Sequence, residues 1–137
     1  LEKAVTPTTR LGGHMVSGHV DGVARVDDRQ YRGKAIEFWL TAPVNLARYI
    51  AHKGSITIDG VSLTVNEVIG TRFRLTIVPH TAGETTLVDL KVGDTVNIEV
   101  DLIARHLERL MTYASDKTEV TESTVTMDLL ARTGFLR

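Results

Sequence analysis

The sequence predicts an all-β fold: a six-stranded antiparallel, Greek-key-like closed barrel with a short connecting helix and C-terminal helices. Three observations predict it. Short runs rich in β-branched residues, each alternating apolar with polar positions, recur between residues 15 and 100. Turn signals separate them at Asp59-Gly60, Ile69-Gly70-Thr71 and Val92-Gly93-Asp94. After Asp101 the apolar period changes from alternation to the three-and-four spacing of a helix.

In chain order, residues 1–5 read as the tail of a strand, followed by a turn around Pro7. Extended segments are predicted near 15–27, 34–41, 55–59, 61–68, 72–78 and 95–100, with Asp27-Asp28 as the turn after the first. The run from Val61 through Val68, Gly70 and Phe73 to Val78 is the clearest hairpin. Pro43 to Ile50 carries apolar residues at helical spacing and predicts a short helix over about 44–51. Ile103, Leu107 and Leu110, flanked by Leu102 and Met111, form an amphipathic stripe that predicts a helix to about Ala114. The polar stretch from Ser115 to Thr121 reads as a loop. A final helix is expected over 123–133, ended by Gly134, with Phe135 and Leu136 as a hydrophobic tail. Closure into a barrel would remove the free edges such short strands otherwise expose.

At 137 residues the chain is one domain's worth, able to bury roughly two-thirds of its unfolded surface. Net charge is −1 with both signs interspersed, which provides no basic footprint for nucleic acid. Arg72 and Arg74 alternate along one strand and read as a solvated face. The absence of cysteine excludes disulfides and thiolate zinc sites, and it fits a cytoplasmic protein. No apolar run approaches the roughly eighteen residues of a membrane span, and Leu1-Glu2-Lys3 does not begin a signal peptide. No metal site is expected: His14 and His19 are five apart, match no helical ligand spacing, and have no carboxylate cluster beside them. His52 and His106 read as surface residues. Ser17 and Ser62 lack a nucleophile elbow, and Glu2, Glu84, Glu99 and Glu108 show no pairing suited to glycosidase chemistry.

Two segments carry chemistry. Gly12-Gly13-His14-Met15-Val16-Ser17-Gly18-His19-Val20-Asp21-Gly22 crowds four glycines, two histidines and a serine together, where backbone can bend or approach a ligand closely. The bland reading is a Gly-rich turn with a satisfied histidine. In Lys53-Gly54-Ser55-Ile56-Thr57-Ile58-Asp59-Gly60-Val61-Ser62-Leu63-Thr64-Val65, alternation puts Ser62 and Thr64 on one face and Val61, Leu63 and Val65 on the other. Two hydroxyls on one face suit the edge of a heterocycle, or simply a solvated surface. Imidazoles titrate near neutrality, so His19 is the proton-transfer candidate. Asp101 could orient an imidazole or hydroxyl, or cap the helix after it. Lys53 could meet an anionic heterocycle, or snorkel ahead of a strand.

These two segments, with Ile77-Val78-Pro79-His80-Thr81, Val96-Asn97-Ile98-Glu99-Val100-Asp101 and the closing Leu129-Leu130 to Gly134-Phe135, resemble riboflavin synthase, and within it the second, C-terminal lumazine-binding repeat. The resemblance implies a transferase of riboflavin biosynthesis. Two 6,7-dimethyl-8-ribityllumazine molecules would exchange a four-carbon unit to give riboflavin and 5-amino-6-ribitylamino-pyrimidinedione, with no metal or organic cofactor. It implies chains of two such barrels and a C-terminal helix, assembled as homotrimers. Each site would pair this barrel with the N-terminal barrel of another subunit. Carried over by motif, substrate contacts fall on Gly18, His19, Val20, Lys53, Ser62, Leu63, Thr64, Thr76, Ile77, Val78, Pro79, His80 and Thr81, and catalytic roles on His19, Ser62 and Asp101. The segment His80-Thr81-Ala82 departs from the family, where Glu and Leu are common at its first and third places. Residues 1–13 are expected to be the remnant of a preceding barrel, 14–101 the lumazine-binding barrel and 102–137 a C-terminal helical segment, so that the chain carries half a site. A non-catalytic lumazine- or flavin-binding module, or an oligomerisation domain with an unused pocket, are the rival readings.

Overall fold

The structure, a computed structural model, describes residues 6–8, 14–78, 80 and 85–121, with side chains described to residue 117. Contacts divide the chain into two units, Leu1–Leu102 and Ile103–Arg137. The first is a closed antiparallel barrel. Its strands are β1 (Gly22–Arg32), β2 (Ala35–Thr41), β3 (Ser55–Ile58), β4 (Val61–Ile69), β5 (Arg72–Ile77) and β6 (Thr95–Val100), with a short helix α1 (Val44–Ala47) between β2 and β3. Around the wall the order is β1-β2-β5-β4-β3-β6. The β3-β4-β5 meander has β6 returning beside β3, which is a Greek key.

Turn chemistry sets the register. Asp59 (φ 45°) and Gly60 (φ 83°) both take positive φ, as a two-residue type I′ hairpin requires, and pair Ile58 with Val61, Thr57 with Ser62 and Ser55 with Thr64. Strand alternation then sorts the wall. Ala24, Val26, Ile36, Phe38, Leu40, Ile56, Ile58, Val65, Phe73, Leu75, Ile77, Val96, Ile98 and Val100 fill the lumen, with Leu46 and Ile50 from the α1 segment and Leu87 from a 3-10 turn (Thr86–Asp89) completing the core. The lumen is packed with these side chains.

The first strand differs from expectation. It runs over Gly22–Arg32 rather than 15–27, and Asp27-Asp28 is not a turn. Asp27 is the extra residue of a β-bulge, between Val26 opposite Leu40 and Asp28 opposite Trp39. The real turn lies at Gly33-Lys34. Thr41 donates a hydrogen bond to the Asp27 carboxylate, and the guanidinium groups of Arg25 (3.0 Å) and Arg72 (3.4 Å) flank it. Arg74 pairs with Glu37 (3.1 Å) and Glu67 (3.3 Å), so the two arginines of β5 lace the outer wall together.

Helix α2 spans Leu102–Thr121, so the loop expected over 115–121 is helical instead. Two of its hydroxyls bond back to the helix itself. Thr112 Oγ1 donates to the Glu108 carbonyl (3.0 Å) and Ser115 Oγ to that of Met111 (3.1 Å). Tyr113 is flanked one turn away on each side by Arg109 and Lys117, at 5.2 and 4.9 Å from its ring centroid. The helix expected at 123–133 and the hydrophobic tail at Phe135 and Leu136 lie outside the described residues. Among the described residues, no helix is long and apolar enough to cross a membrane.

Candidate functional site

The site is built on the outer face of β6, β3 and β4. Thr57 pairs with Ser62 on one side and with Glu99 on the other, so Glu99, Thr57 and Ser62 form one row across three strands. Ser55 and Thr64 form a parallel row on the same face. An outward side chain is normally wet, yet Thr57 is 1% and Glu99 5% exposed. The segment 14–21 covers them.

That segment is tied down at three points. His14 lays its ring between two hydroxyls, with Nδ1 2.6 Å from Ser62 Oγ and Nε2 3.2 Å from Thr57 Oγ1. Ser17 donates both its backbone N–H and its hydroxyl to Glu99 Oε1, each at 2.8 Å. Asp21 accepts from the Val100 N–H (2.7 Å) and donates its own N–H to the Ile98 carbonyl (2.9 Å), leading into β1. Gly22 leaves room for the core there: a Cβ would stand 2.8 Å from Leu46 Cδ1 and push that side chain aside. Gly18 turns the segment at φ 78°, a conformation favouring glycine, and the His19 N–H reaches back to Ser17 Oγ at 3.4 Å.

The residues expected to bind substrate fall as follows. Ser62 and Thr64 share the outer face and are exposed, as alternation predicts. Lys53 is exposed in the turn ahead of β3, where its N–H donates to the Val65 carbonyl at 2.8 Å; this holds it at the Thr64 end of the hydroxyl rows. Gly18, His19 and Val20 are exposed on the covering segment. Thr76 faces outward on β5, and the register pairing Val65 with Leu75 runs on toward Thr64 and Thr76. Leu63 and Ile77 turn their side chains to the core, leaving only backbone at the outer surface. Val78 and His80 are exposed just beyond β5, whereas Pro79 and Thr81 lie outside the described residues. Asp101 is half-buried in the one-residue link between β6 and α2, two positions after Glu99.

His14, Ser17, Thr57 and Glu99 are the members that sequence reading does not pick out. Their contacts span 43 to 82 residues of chain, and only the Thr57–Glu99 and Thr57–Ser62 registers bring them into one row. Among the described residues there is no group of three or more His, Cys, Asp or Glu able to hold a metal.

A packed Greek-key barrel whose polar face lies outside the wall, under a Gly-rich His-bearing segment, defines a small β-barrel domain built to present groups on its outer surface. The chain belongs to the lumazine-binding domain family, whose sequence pattern matches residues 17–101. It is 57% identical over 136 residues to the riboflavin synthase of Photobacterium phosphoreum and 52% identical over 139 residues to that of Photobacterium leiognathi. The alignments cover 99% of this chain in both cases, and the chain spans 62% of the length of each relative. Among solved structures, LumP complexed with riboflavin superposes with a TM-score of 0.64 at 26% identity, over 67% of this chain and 50% of that one. LumP complexed with 6,7-dimethyl-8-(1'-D-ribityl) lumazine gives 0.60 at 25% identity, over 64% and 48%.

Proposed function

We propose that this chain forms the lumazine-binding half of a riboflavin synthase site. The barrel holds one 6,7-dimethyl-8-ribityllumazine against the outer face of β3 and β4, and the N-terminal barrel of another subunit holds the second. One observation carries the reading: Ser62 and Thr64 share the outer face of a hairpin, with the exposed Lys53 turn at its Thr64 end and His14 of the covering segment bonded to Ser62. The similarity to riboflavin synthases over nearly the whole chain supports it, as do neighbours solved with lumazine and riboflavin.

In this reading Ser62 and Thr64 meet the pyrimidinedione edge, Lys53 offsets negative charge on the heterocycle, and Val78, Val20 and the 76–81 strand end border its ring. A four-carbon unit passes from one lumazine to the other, so what one ring gains its partner loses and no external oxidant is needed. His19 moves the protons and Asp101 orients its neighbours, in a site whose power comes largely from aligning two substrates. Residues 14–101 are the binding barrel, 102–137 the helical segment and 1–13 the link to a further barrel, in a cytoplasmic homotrimer.

Titration of the purified chain with 6,7-dimethyl-8-ribityllumazine and with riboflavin, followed by ligand fluorescence, tests the binding. A riboflavin-formation assay on the longer protein tests the chemistry. Saturable binding with turnover by the longer protein upholds the reading, and absence of binding overturns it. Binding without turnover would instead identify a non-catalytic lumazine- or flavin-binding module.

A further inference from the structure

We propose that His14 sets the hydrogen-bond polarity of Ser62, making that hydroxyl an acceptor toward a bound heterocycle. The proposal rests on the lumazine-binding reading above and adds a positioning residue to it. The His14 ring links two hydroxyls on neighbouring strands, with Nδ1 2.6 Å from Ser62 Oγ and Nε2 3.2 Å from Thr57 Oγ1. A neutral imidazole carries one N–H and one lone pair, so bonding at both nitrogens fixes both directions together. Hydroxyl donors make the shorter bonds and N–H donors the longer ones. We take the shorter bond as the hydroxyl-donated one, so that Ser62 Oγ–H donates to Nδ1 and Nε2–H donates to Thr57 Oγ1.

The two hydroxyls are not equivalent. Thr57 is 1% exposed and its strand is paired on both sides, so it is a fixed anchor. Ser62 is exposed, and with its only proton committed to His14 it keeps lone pairs directed to the outside. A pyrimidinedione edge presents a ring N–H between two carbonyls, and an accepting Ser62 selects that N–H. With the opposite tautomer Ser62 would donate, and would select a carbonyl. His14 thus acts through Ser62 as a positioning residue.

The ring tautomer is read first, from a long-range proton–nitrogen-15 spectrum of the native chain with the imidazole neutral. A proton on Nε2 and none on Nδ1 is expected, with the Nδ1 resonance moving in Ser62→Ala. Binding of 6,7-dimethyl-8-ribityllumazine and of its N3-methyl derivative is then compared by ligand fluorescence. An Asn side chain places an oxygen near the position of Nδ1, whereas Gln reaches that of Nε2. Loss of one such bond corresponds to about a threefold to tenfold change in affinity. His14→Ala and His14→Gln should weaken lumazine binding by that factor and lose the preference for the N3–H ligand. His14→Asn should recover most of both, and His14→Ala should cost nothing further in a Ser62→Ala background. A proton on Nδ1, rescue by Gln instead of Asn, or additive losses in the double variant would overturn the proposal. The native-chain spectrum decides the tautomer even where a variant fails to fold. A native chain that binds neither ligand overturns the functional reading and the ligand half of this one, and the spectrum still upholds or overturns the His14–Ser62 linkage.

Discussion

Ser62 stands exposed on the outer wall, so under the proposed function its replacement by alanine would remove a ligand bond without opening the core. Ser62→Ala is expected to weaken lumazine binding by about 0.5–1.5 kcal/mol and to lower the melting temperature only slightly, through the lost His14 bond, as titration and calorimetry would show. Glu99 differs, because one of its carboxylate oxygens holds two donors of Ser17 and is nearly buried while doing so. Hydrogen bonds to a charged group contribute about 1.5–3 kcal/mol, reduced here by the exposure of Ser17. Glu99→Ala should therefore speed amide exchange across 14–19 and weaken binding, whereas Glu99→Gln, which keeps an acceptor oxygen, should do so less. Equal exchange in Glu99→Ala and the native chain would refute the pin. Ser62 and Thr64 were legible in the sequence because alternation along one strand reveals a shared face. Glu99 was not: its place on that face follows from alternation, but what covers it lies 82 residues away.

The strands were legible where turn chemistry and alternation agree. The 61–78 hairpin and the Asp59-Gly60 turn appear where expected, because a two-residue turn fixes register locally. Reading failed at the first strand, where two successive aspartates mimic a turn; one of them is instead the extra residue of a bulge. It failed again at Ser115, whose hydroxyl bonds within the helix rather than breaking it. The bulge also carries a pH dependence. Burial disfavours charge on Asp27, but hydrogen bonds from Thr41 and Arg25 and the charges of Arg25 and Arg72 outweigh it and hold the carboxyl below its ordinary range. A carboxyl depressed on folding stabilises fully above its unfolded value of about 3.9, and that stabilisation fades as pH falls through the lower folded value. Thermal stability measured from pH 6 downward should thus drop in the acid range, and Asp27→Asn should flatten that drop. An unchanged acid slope in Asp27→Asn would remove Asp27 as its source.

For the molecule as a whole, one barrel presents one face, and the chain spans 62% of relatives that carry the name riboflavin synthase. The chain alone is expected to bind lumazine but to form riboflavin far more slowly than the longer protein. Even a small misalignment of two substrates costs on the order of 100-fold. Comparable turnover by the purified chain, free of longer protein, would refute the half-site argument. The tethering of the 14–21 segment has a further consequence, in time. The β3–β4 hairpin closes over a two-residue turn, whereas Ser17 meets Glu99 across 82 residues and Asp21 meets Val100 across 79. Local hairpins form within about 1–10 μs, and contacts of long sequence separation wait on the loops they must close. The hydroxyl rows are thus expected to form early in refolding, and the segment that covers them only once β1 and β6 have met. Ligand capture then reports the last event of assembly. After a jump out of denaturant, fluorescence of Trp39 in β2 should recover before lumazine binding does, so that a partly assembled chain neither sequesters nor mispositions the heterocycle.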